Sequence, residues 1–364
     1  MLKPHYLEHV SDSVVGIYLD LELSIMKDIS RRLARTGRIT STAEWQIAKM
    51  QELGASKEYI TKEIAKILKK SETEVLRLFN EAGIKSLAYD ERIYAKASQA
   101  GYLSNYIPIT QSSALQQTLL QGVIRTQGAL KNLTNSLALN AFGDTARLMD
   151  RAYLQVASGA FDIRTAVDSS VQELARSGIK SLEFSGASIS IEAGVRRAVI
   201  SGINTTSGIL SVNRAMEVGS DLVITSEHFG ARPEHEEWQG KIFSLSGNSN
   251  KYPHFATATR YGEVDGICGI NCRHSFTSYF EGISLEPDND INADRSNELY
   301  ELEQEQCYNE RMIRKWKREE ETLNAGGVDS LAARHKVSEW QQRQRDLIDS
   351  HDALLRDYNR EKVY

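Results

Sequence analysis

The chain has 364 residues, 41% of them hydrophobic and 26% charged, which is ordinary for a globular protein with a sizeable core and room for two or more domains. No apolar run approaches the ~20 residues of a membrane span, so we expect no membrane partner. A net charge of −5 argues against a protein that coats nucleic acid, and three cysteines do not make a disulfide framework, so we expect a reducing compartment.

A single long helix is predicted at the start of the chain. Pro4 suits a first helical turn, and apolar residues then recur at three- and four-residue spacing until Gly37 ends the pattern. Cations near a helix end meet the negative pole of the helix dipole, which explains a basic cluster there; contact with a phosphate or an acidic partner is the alternative. The cluster comprises Lys27, Arg31, Arg32, Arg35 and Arg38.

Three shorter helices are predicted next, over 42–53, 56–69 and 71–82. Gly54 and Gly83 serve as stops, and Ser71 with Glu74 has the spacing of a capping box. The trio resembles a helix-turn-helix DNA reader, but seven lysines and arginines between residues 41 and 83 are balanced by seven glutamates. A major-groove reader normally carries a positive excess, so packing is the favoured role.

The helices after Pro108 have wide polar faces. They are predicted over 112–142, 145–157, 162–176 and 189–218, with Asp162 as an N-cap and Gly178 as a stop. A large polar face on a long helix suits contact with solvent or a neighbouring subunit better than deep burial. The pattern therefore predicts assembly with a partner.

The character of the sequence changes at Ser220. Short strands are predicted over 221–225, 241–245 and 275–280, with glycine-rich turns between them. Beyond 288–292 the chain is strongly charged, which predicts a solvated helical hairpin. The predicted fold is mainly α with a small α+β module. Its regions are a helical N-terminal region at 1–215, an α+β module at 216–288 and a charged helical tail at 289–364.

Residues that can carry chemistry concentrate between Glu227 and Ser284. Zinc takes thiolate and imidazole ligands in tetrahedral geometry, and the spacing Cys-x3-Cys-x-His could bring three of them onto one ion. The zinc candidates are Cys268, Cys272, His274 and His254, with His235 as the other choice for a fourth ligand. Structural zinc sites usually show two well-formed ligand pairs, and one loose cluster is present. No cofactor is therefore the first expectation, and zinc is the alternative.

Two further explanations compete for these residues. Cys268 or Cys272 could form a nucleophilic pair with His235 or His274, with amides of the Gly266–Gly269 loop to hold an oxyanion. Alternatively, both cysteines are small buried residues in tight turns, within a hydrogen-bonded structural motif. That motif comprises Arg232, His235, Trp238, Gly240, Lys241, Cys268, Cys272, Arg273 and His274.

The side chain of Arg232 is expected to point in one direction. Pro233 restricts the backbone of the residue before it to extended conformations. The planar guanidinium then suits a nearby carboxylate, carbonyls of the 268–273 turn, or a phosphate, and an internal clamp is favoured over a DNA contact because the surroundings are acidic.

Several strings in this segment occur together in one family. They are Glu227-His228, Gly-Ala-Arg-Pro-Glu-His at 230–235, Trp-Gln-Gly-Lys-Ile-Phe-Ser at 238–244, Tyr261-Gly262, and Gly-Ile-Cys-Gly-Ile-Asn-Cys-Arg-His-Ser-Phe at 266–276. Val-Arg-Arg-Ala at 195–198, Gly-Ile-Asn-Thr-Thr at 202–206 and Asp-Leu-Val at 221–223 fit as well. Together they resemble the phage minor capsid protein 2 family of tailed bacteriophages, which is related to the MuF-type head morphogenesis proteins. The resemblance is close over 188–284 and limited to helical character upstream.

The resemblance implies a MuF-like module in a structural virion protein, present in few copies at the portal vertex or inner head surface, without an established enzymatic activity. It implies the portal protein and a major capsid or scaffolding protein as partners, local contact with packaged DNA, and assembly in the host cytoplasm before incorporation into the virion. The alternative is a head-carried zinc- or cysteine-dependent enzyme, hydrolase- or nuclease-like, that uses the Cys268, Cys272 and His274 cluster.

Overall fold

The computed structural model of the protein describes residues 1–37, 39, 41–103, 112–182, 185–285 and 291–363. Over these residues the fold is mainly helical with two small antiparallel sheets, as predicted. The helices are α1 (Pro4–His9), α2 (Asp12–Thr36), α3 (Thr42–Gln99), α4 (Ser113–Ala157), α5 (Ile163–Ser177), α6 (Ile191–Val218), α7 (Phe255–Thr259), α8 (Ala293–Gly326) and α9 (Leu331–Asp349). The strands are β1 (Lys180–Leu182), β2 (Ser188–Ser190), β3 (Leu222–Thr225), β4 (Ile242–Ser244) and β5 (Phe276–Ser278), and 3-10 helices span Pro233–Trp238 and Tyr358–Glu361.

The helices of the N-terminal half differ from the prediction at their ends. The predicted first helix is two helices, α1 and α2, separated by a turn, and the three predicted short helices are wrong because α3 continues through Gly54 and Gly83. The Ser71 hydroxyl donates to Leu68 O at 3.0 Å instead of capping a new helix. A glycine inside a helix costs only about 1 kcal/mol, and at Gly83 the missing side chain leaves room for Leu119 of α4.

The next segment confirms the predicted caps and adds a hairpin. Asp162 accepts a hydrogen bond from Thr165 N at 3.0 Å at the start of α5, and Gly178 ends that helix with φ of 62°. Strands β1 and β2, which the sequence did not predict, pair antiparallel with Leu182 opposite Ser188. The helix predicted from residue 189 accordingly begins at Ile191.

The three predicted strands of the α+β module are confirmed. They form one antiparallel sheet in the order β4-β3-β5, in which Val223 of β3 lies opposite Phe243 and Ser278. A compact core forms on this sheet from Val223, Trp238, Phe243, Phe255, Ile267, Cys268, Cys272 and Phe276. Both cysteines of the predicted motif are therefore core residues of the module.

The described chain forms two compact units, each assembled from three separate segments. Unit 1 contains 1–13, 72–128 and 196–303, and unit 2 contains 14–71, 129–195 and 304–364. The predicted division of the chain into the regions 1–215, 216–288 and 289–364 is not tested by these units and stays a prediction. Residue 288 lies outside the described residues.

In unit 1, helices α4 and α6 approach closely through two glycines. A side chain at Gly122 of α4 would collide with Thr206 of α6 and with Phe79, and one at Gly202 of α6 would collide with Thr126 of α4. Each glycine thus accommodates a threonine of the other helix. This packing holds the middle of α6, which carries residues of the candidate site.

In unit 2, charged residues of α8 are partly buried, which corrects the prediction of a solvated tail. Arg318 Nη1 lies 3.0 Å from Glu22 Oε2 of α2, and Glu22 is only 2% exposed. Arg314 pairs with Glu192 of α6. The charged residues of α8 therefore include cations that pair with carboxylates inside unit 2, in addition to residues that face solvent.

The basic cluster at the end of α2 is also paired within unit 2. Arg32 lies 2.6 Å from both Asp28 and Glu52, and Arg35 lies 2.9 Å from Glu52. Arg38 lies outside the described residues. Ion pairing with carboxylates therefore accounts for the best-packed members of this cluster.

In the part of the chain that the structure describes, every helix falls short of the length or the apolar character that a membrane span requires.

Candidate functional site

The candidate site lies in unit 1, where two loops of the α+β module meet α6. The 3-10 helix Pro233–Trp238 contributes His235, and the turn before β5 contributes Cys272 and His274. Helix α6 secures this turn, because Asn204 Nδ2 donates to Cys272 O at 2.8 Å and to His274 O at 3.0 Å. Thr205 adds a hydrogen bond to Cys268 O at 2.9 Å.

Three potential metal ligands converge in this core. His235 Nδ1 lies 3.4 Å from His274 Nδ1, and Cys272 Sγ lies 3.9 Å from the first and 3.7 Å from the second of these nitrogens. All three side chains are buried. We call His235, Cys272 and His274 the ligand triad.

The sequence candidates are only partly brought together. Cys268 is buried in the same core, with its Sγ 3.7 Å from His274 O, but it is not part of the triad. His254 is exposed at the start of α7, where its Nδ1 lies 2.8 Å from Thr257 Oγ1. His235, which the sequence offered as another fourth ligand, takes a central position instead.

Hydrogen bonds at the outer edges of both triad histidines determine which nitrogen carries the proton. His235 Nε2 lies 3.0 Å from the carbonyl oxygen of Asp265, which can only accept a hydrogen bond. His274 Nε2 lies 3.0 Å from Gln239 Oε1, an oxygen that also accepts from the backbone N–H of His228 at 2.9 Å. Each Nε2 therefore donates, and in the neutral rings each Nδ1 presents a lone pair to the triad.

A third histidine lies beside the triad. The ring centroid of His228 is 4.4 Å from that of His274, and His228 Nδ1 is 2.9 Å from the carbonyl oxygen of Phe229. This contact places the proton on Nδ1, so Nε2 has a lone pair, and that Nε2 atom is buried without a hydrogen-bond partner. Sequence reasoning assigned no role to His228, Gln239 or Asn204. Their presence in the family strings was the available signal.

Burial sets the protonation of the site. It lowers the pKa of His228 and His235, and it lowers the pKa of His274 well below its ordinary value, with the neighbouring histidines adding to the effect. Burial also raises the pKa of Cys272, although backbone N–H groups oppose the rise, and it raises the pKa of Cys268 further. Neutral imidazoles and thiols are the forms that desolvation favours here.

The remaining motif residues brace the loops around the triad. Arg232, with extended backbone at φ −61° and ψ 141°, donates from Nη2 to Ile270 O at 3.0 Å, one of the three contacts predicted for it. Arg273 points elsewhere and lies 2.8 Å from Glu303. The Trp238 ring lies within 4.7 Å of both triad imidazoles, centroid to centroid.

Two turns complete the frame of the site. Gly240 has φ of 59°, and the N–H of the following Lys241 donates to Thr225 Oγ1 at 3.1 Å. The same hydroxyl donates to Trp238 O at 2.6 Å, which joins the end of the 3-10 helix to the sheet. We call the turn that carries both cysteines, residues 266–274, the cysteine turn. A side chain at Gly266 in this turn would lie 2.5 Å from the carbonyl carbon of Arg260. That close approach of two backbones requires glycine.

Comparison with known proteins points to one class. The profile of the family described as Phage minor capsid protein 2 matches residues 2–349. A structural protein of Lactococcus phage LL-H is 24% identical over 341 residues, covering 88% of this chain and 89% of the relative. A structural protein of Lactococcus phage mv4 is 31% identical over 105 residues, covering 28% of this chain and 85% of the relative. No solved structure matches.

Proposed function

Because the chain belongs to the phage minor capsid protein 2 family, we propose that it is a low-copy component of the phage head, associated with the portal vertex or the inner capsid surface. The family match over residues 2–349 carries this proposal, and the phage structural protein that aligns along most of its own length supports it. The proposed partners are the portal protein and a major capsid or scaffolding protein. Assembly would take place in the host cytoplasm.

Exposed apolar side chains on the long helices support a protein-binding role. Leu120 and Ile124 of α4, one helical turn apart, are 55% and 51% exposed in unit 1. Leu139 and Phe142, three residues apart on the same helix, are 74% and 38% exposed in unit 2. Apolar pairs on one helical face favour contact with another protein. This agrees with the assembly with a partner that the sequence of these helices predicts.

The geometry of the site favours a structural role over cysteine catalysis. A catalytic cysteine needs an accessible thiolate, usually stabilised by an electropositive and partly exposed surrounding. Cys268 and Cys272 are 3% and 2% exposed, and burial raises the pKa of both thiols. We therefore propose that the cysteine turn holds the module together.

Protein partners are favoured over packaged DNA. The chain has a net charge of −5, and Arg32 and Arg35 of the basic cluster are held by carboxylates. A local DNA contact remains part of the proposal only as a minor contribution. Salt-sensitive DNA binding by the purified protein would raise its importance.

Co-expression with the portal protein of the same phage tests the proposal. We expect a complex that survives size-exclusion chromatography, and the double variant Leu120→Glu/Ile124→Glu should weaken it at least tenfold because it places two charges on an apolar contact. Gln51→Glu/Ala55→Glu is the matched control, since it adds the same charge at exposed positions one turn apart on a different helix, α3.

Point variants suit this test better than truncation at residue 288, because removal of the tail would take the cations of α8 out of unit 2. Purified virions should contain the chain when analysed by mass spectrometry. Its absence from virions, together with failure to bind portal, capsid and scaffolding proteins, would overturn the proposed function.

A further inference from the structure

We propose that the ligand triad binds one zinc-class divalent cation, with His235 Nδ1, His274 Nδ1 and Cys272 Sγ as ligands. Such a centre would be a structural element of the α+β module. Thiolate and imidazole donors select zinc and similar borderline metals over magnesium or calcium, which prefer oxygen.

The spacing of the three ligand atoms matches a tetrahedral ion. With zinc–nitrogen lengths of about 2.0–2.1 Å and a zinc–sulfur length of about 2.3 Å, tetrahedral angles separate two nitrogens by roughly 3.4 Å and a nitrogen from a sulfur by roughly 3.6 Å. The corresponding separations in this structure are 3.4 Å between His235 and His274, and 3.7 and 3.9 Å from these nitrogens to Cys272 Sγ. Movement of the side chains by a few tenths of an ångström completes the fit.

The histidine tautomers supply an independent reason. Because both Nε2 atoms donate outward, to Asp265 O and Gln239 Oε1, two nitrogen lone pairs face each other across 3.4 Å. The single thiol proton of Cys272 can satisfy only one of them. A cation satisfies both at once. Outer-edge hydrogen bonds of this kind are the usual means by which proteins orient metal-binding histidines.

The sulfur also has a hydrogen-bond donor that a metal-bound thiolate can use. The backbone N–H of His274 donates to Cys272 Sγ at 3.3 Å, a contact that stabilises a thiolate. Asn204 Nδ2 donates to the backbone carbonyls of Cys272 and His274, so these two ligands are fixed relative to each other. The cation thus meets a pre-organised pair and a third ligand on the 3-10 helix.

The fourth coordination position falls to His228 or to a solvent molecule. His228 Nε2 has a lone pair, is buried and has no hydrogen-bond partner, and its ring lies against that of His274. His228 is not among the ligand atoms that lie within 4.8 Å of one another, so its ring must turn or shift to reach the ion. The other candidates from the sequence, Cys268 and His254, are not members of the triad.

The test measures metal in the full-length chain. Protein expressed with added zinc and dialysed against metal-free buffer should retain about one zinc per chain, because three protein ligands hold the ion. His235→Asn and Cys272→Ser should each lose at least nine-tenths of it. Cys268→Ser and His254→Asn, which change the sequence candidates outside the triad, should keep it. His5→Asn/His9→Asn, which removes two histidines of a partly exposed cluster on α1, should keep it as well.

Cobalt substitution keeps the proposal testable if a triad variant fails to fold. The wild-type chain loaded with cobalt should show the intense visible bands of tetrahedral cobalt and a thiolate-to-cobalt charge-transfer band, and both should persist in Cys268→Ser. The proposal is wrong if the wild-type chain retains no stoichiometric zinc and gives no tetrahedral cobalt spectrum, or if Cys268→Ser abolishes both.

Discussion

Replacing Gly122 by alanine should destabilise unit 1, although alanine is the better helix former. The new Cβ would lie 2.8 Å from Thr206 Cγ2 and from Phe79 Cε1, and closer still to Thr206 Oγ1. Carbon atoms in favourable contact lie about 3.5–4.0 Å apart, so α4 and α6 must separate or Thr206 must leave its rotamer. Overpacking of this kind costs about 1–3 kcal/mol, and the gain in helix propensity returns about 0.5–1 kcal/mol. The difference spans about 0–2.5 kcal/mol, and the severity of the collision with Thr206 places the expected net loss in the upper half of that range.

The same helix provides the matched control. At Gly128 no heavy atom lies within 4 Å of the position that an alanine Cβ would occupy, so Gly128→Ala should stabilise the protein by about 0.5–1 kcal/mol through propensity alone. Urea unfolding followed by circular dichroism measures both, as midpoint changes of opposite sign at an unchanged slope. In a Thr206→Ala background, Gly122→Ala should cost at least 1 kcal/mol less, because the colliding side chain is gone. Equal midpoints for the two alanine variants would refute close approach of the helices.

Three further predictions concern other parts of unit 1. Burial raises the pKa of Asp90 to about 7, so between about pH 4 and 7 the folded state keeps a proton that the unfolded state has lost, and stability falls as pH rises. Asp90→Asn should therefore raise Tm at pH 8 more than at pH 5 by differential scanning fluorimetry; parallel curves would contradict this. Arg232→Met removes the donor to Ile270 O and should cost about 1 kcal/mol, seen as faster proteolysis within 264–273, whereas Lys251→Met at an exposed ion pair should not accelerate it. Gly266→Ala forces two backbones apart and should lower Tm by several degrees, while Gly262→Asn, at a positive φ with open space, should change it by less than half as much.

The sequence predicted element types better than element ends. Gly54 and Gly83 are typical helix stops, but the cost of a glycine is small beside the burial that a continuous α3 achieves against Leu119 and its neighbours. Ser71 and Glu74 have the spacing of a capping box. In the structure, however, the Ser71 hydroxyl donates to Leu68 O, and Glu74 accepts a hydrogen bond from Ser13. Tertiary contacts of this kind cannot be obtained from local spacing.

The candidate site shows the same limit. Cys272 and His274 are two residues apart, so their proximity was predictable, but His235 reaches them only because the 3-10 helix returns from β3 to the cysteine turn. Asn204 arrives from a helix 68 residues away along the chain from Cys272. The short hairpin β1–β2 was missed because three-residue strands leave almost no alternating pattern.

The partly buried ion pairs of α8 constrain when unit 2 can fold during synthesis. Glu22 and Glu192 are translated long before Arg318 and Arg314, the cations that neutralise them. Removing one partner of a buried ion pair costs roughly 3–5 kcal/mol, so the final packing of segments 14–71 and 129–195 is less stable until α8 has been made. Domains that complete themselves early fold as they emerge, whereas this unit must wait for its last segment. Any chaperone or head protein that engages the nascent chain would therefore meet unit 2 in an unfinished state.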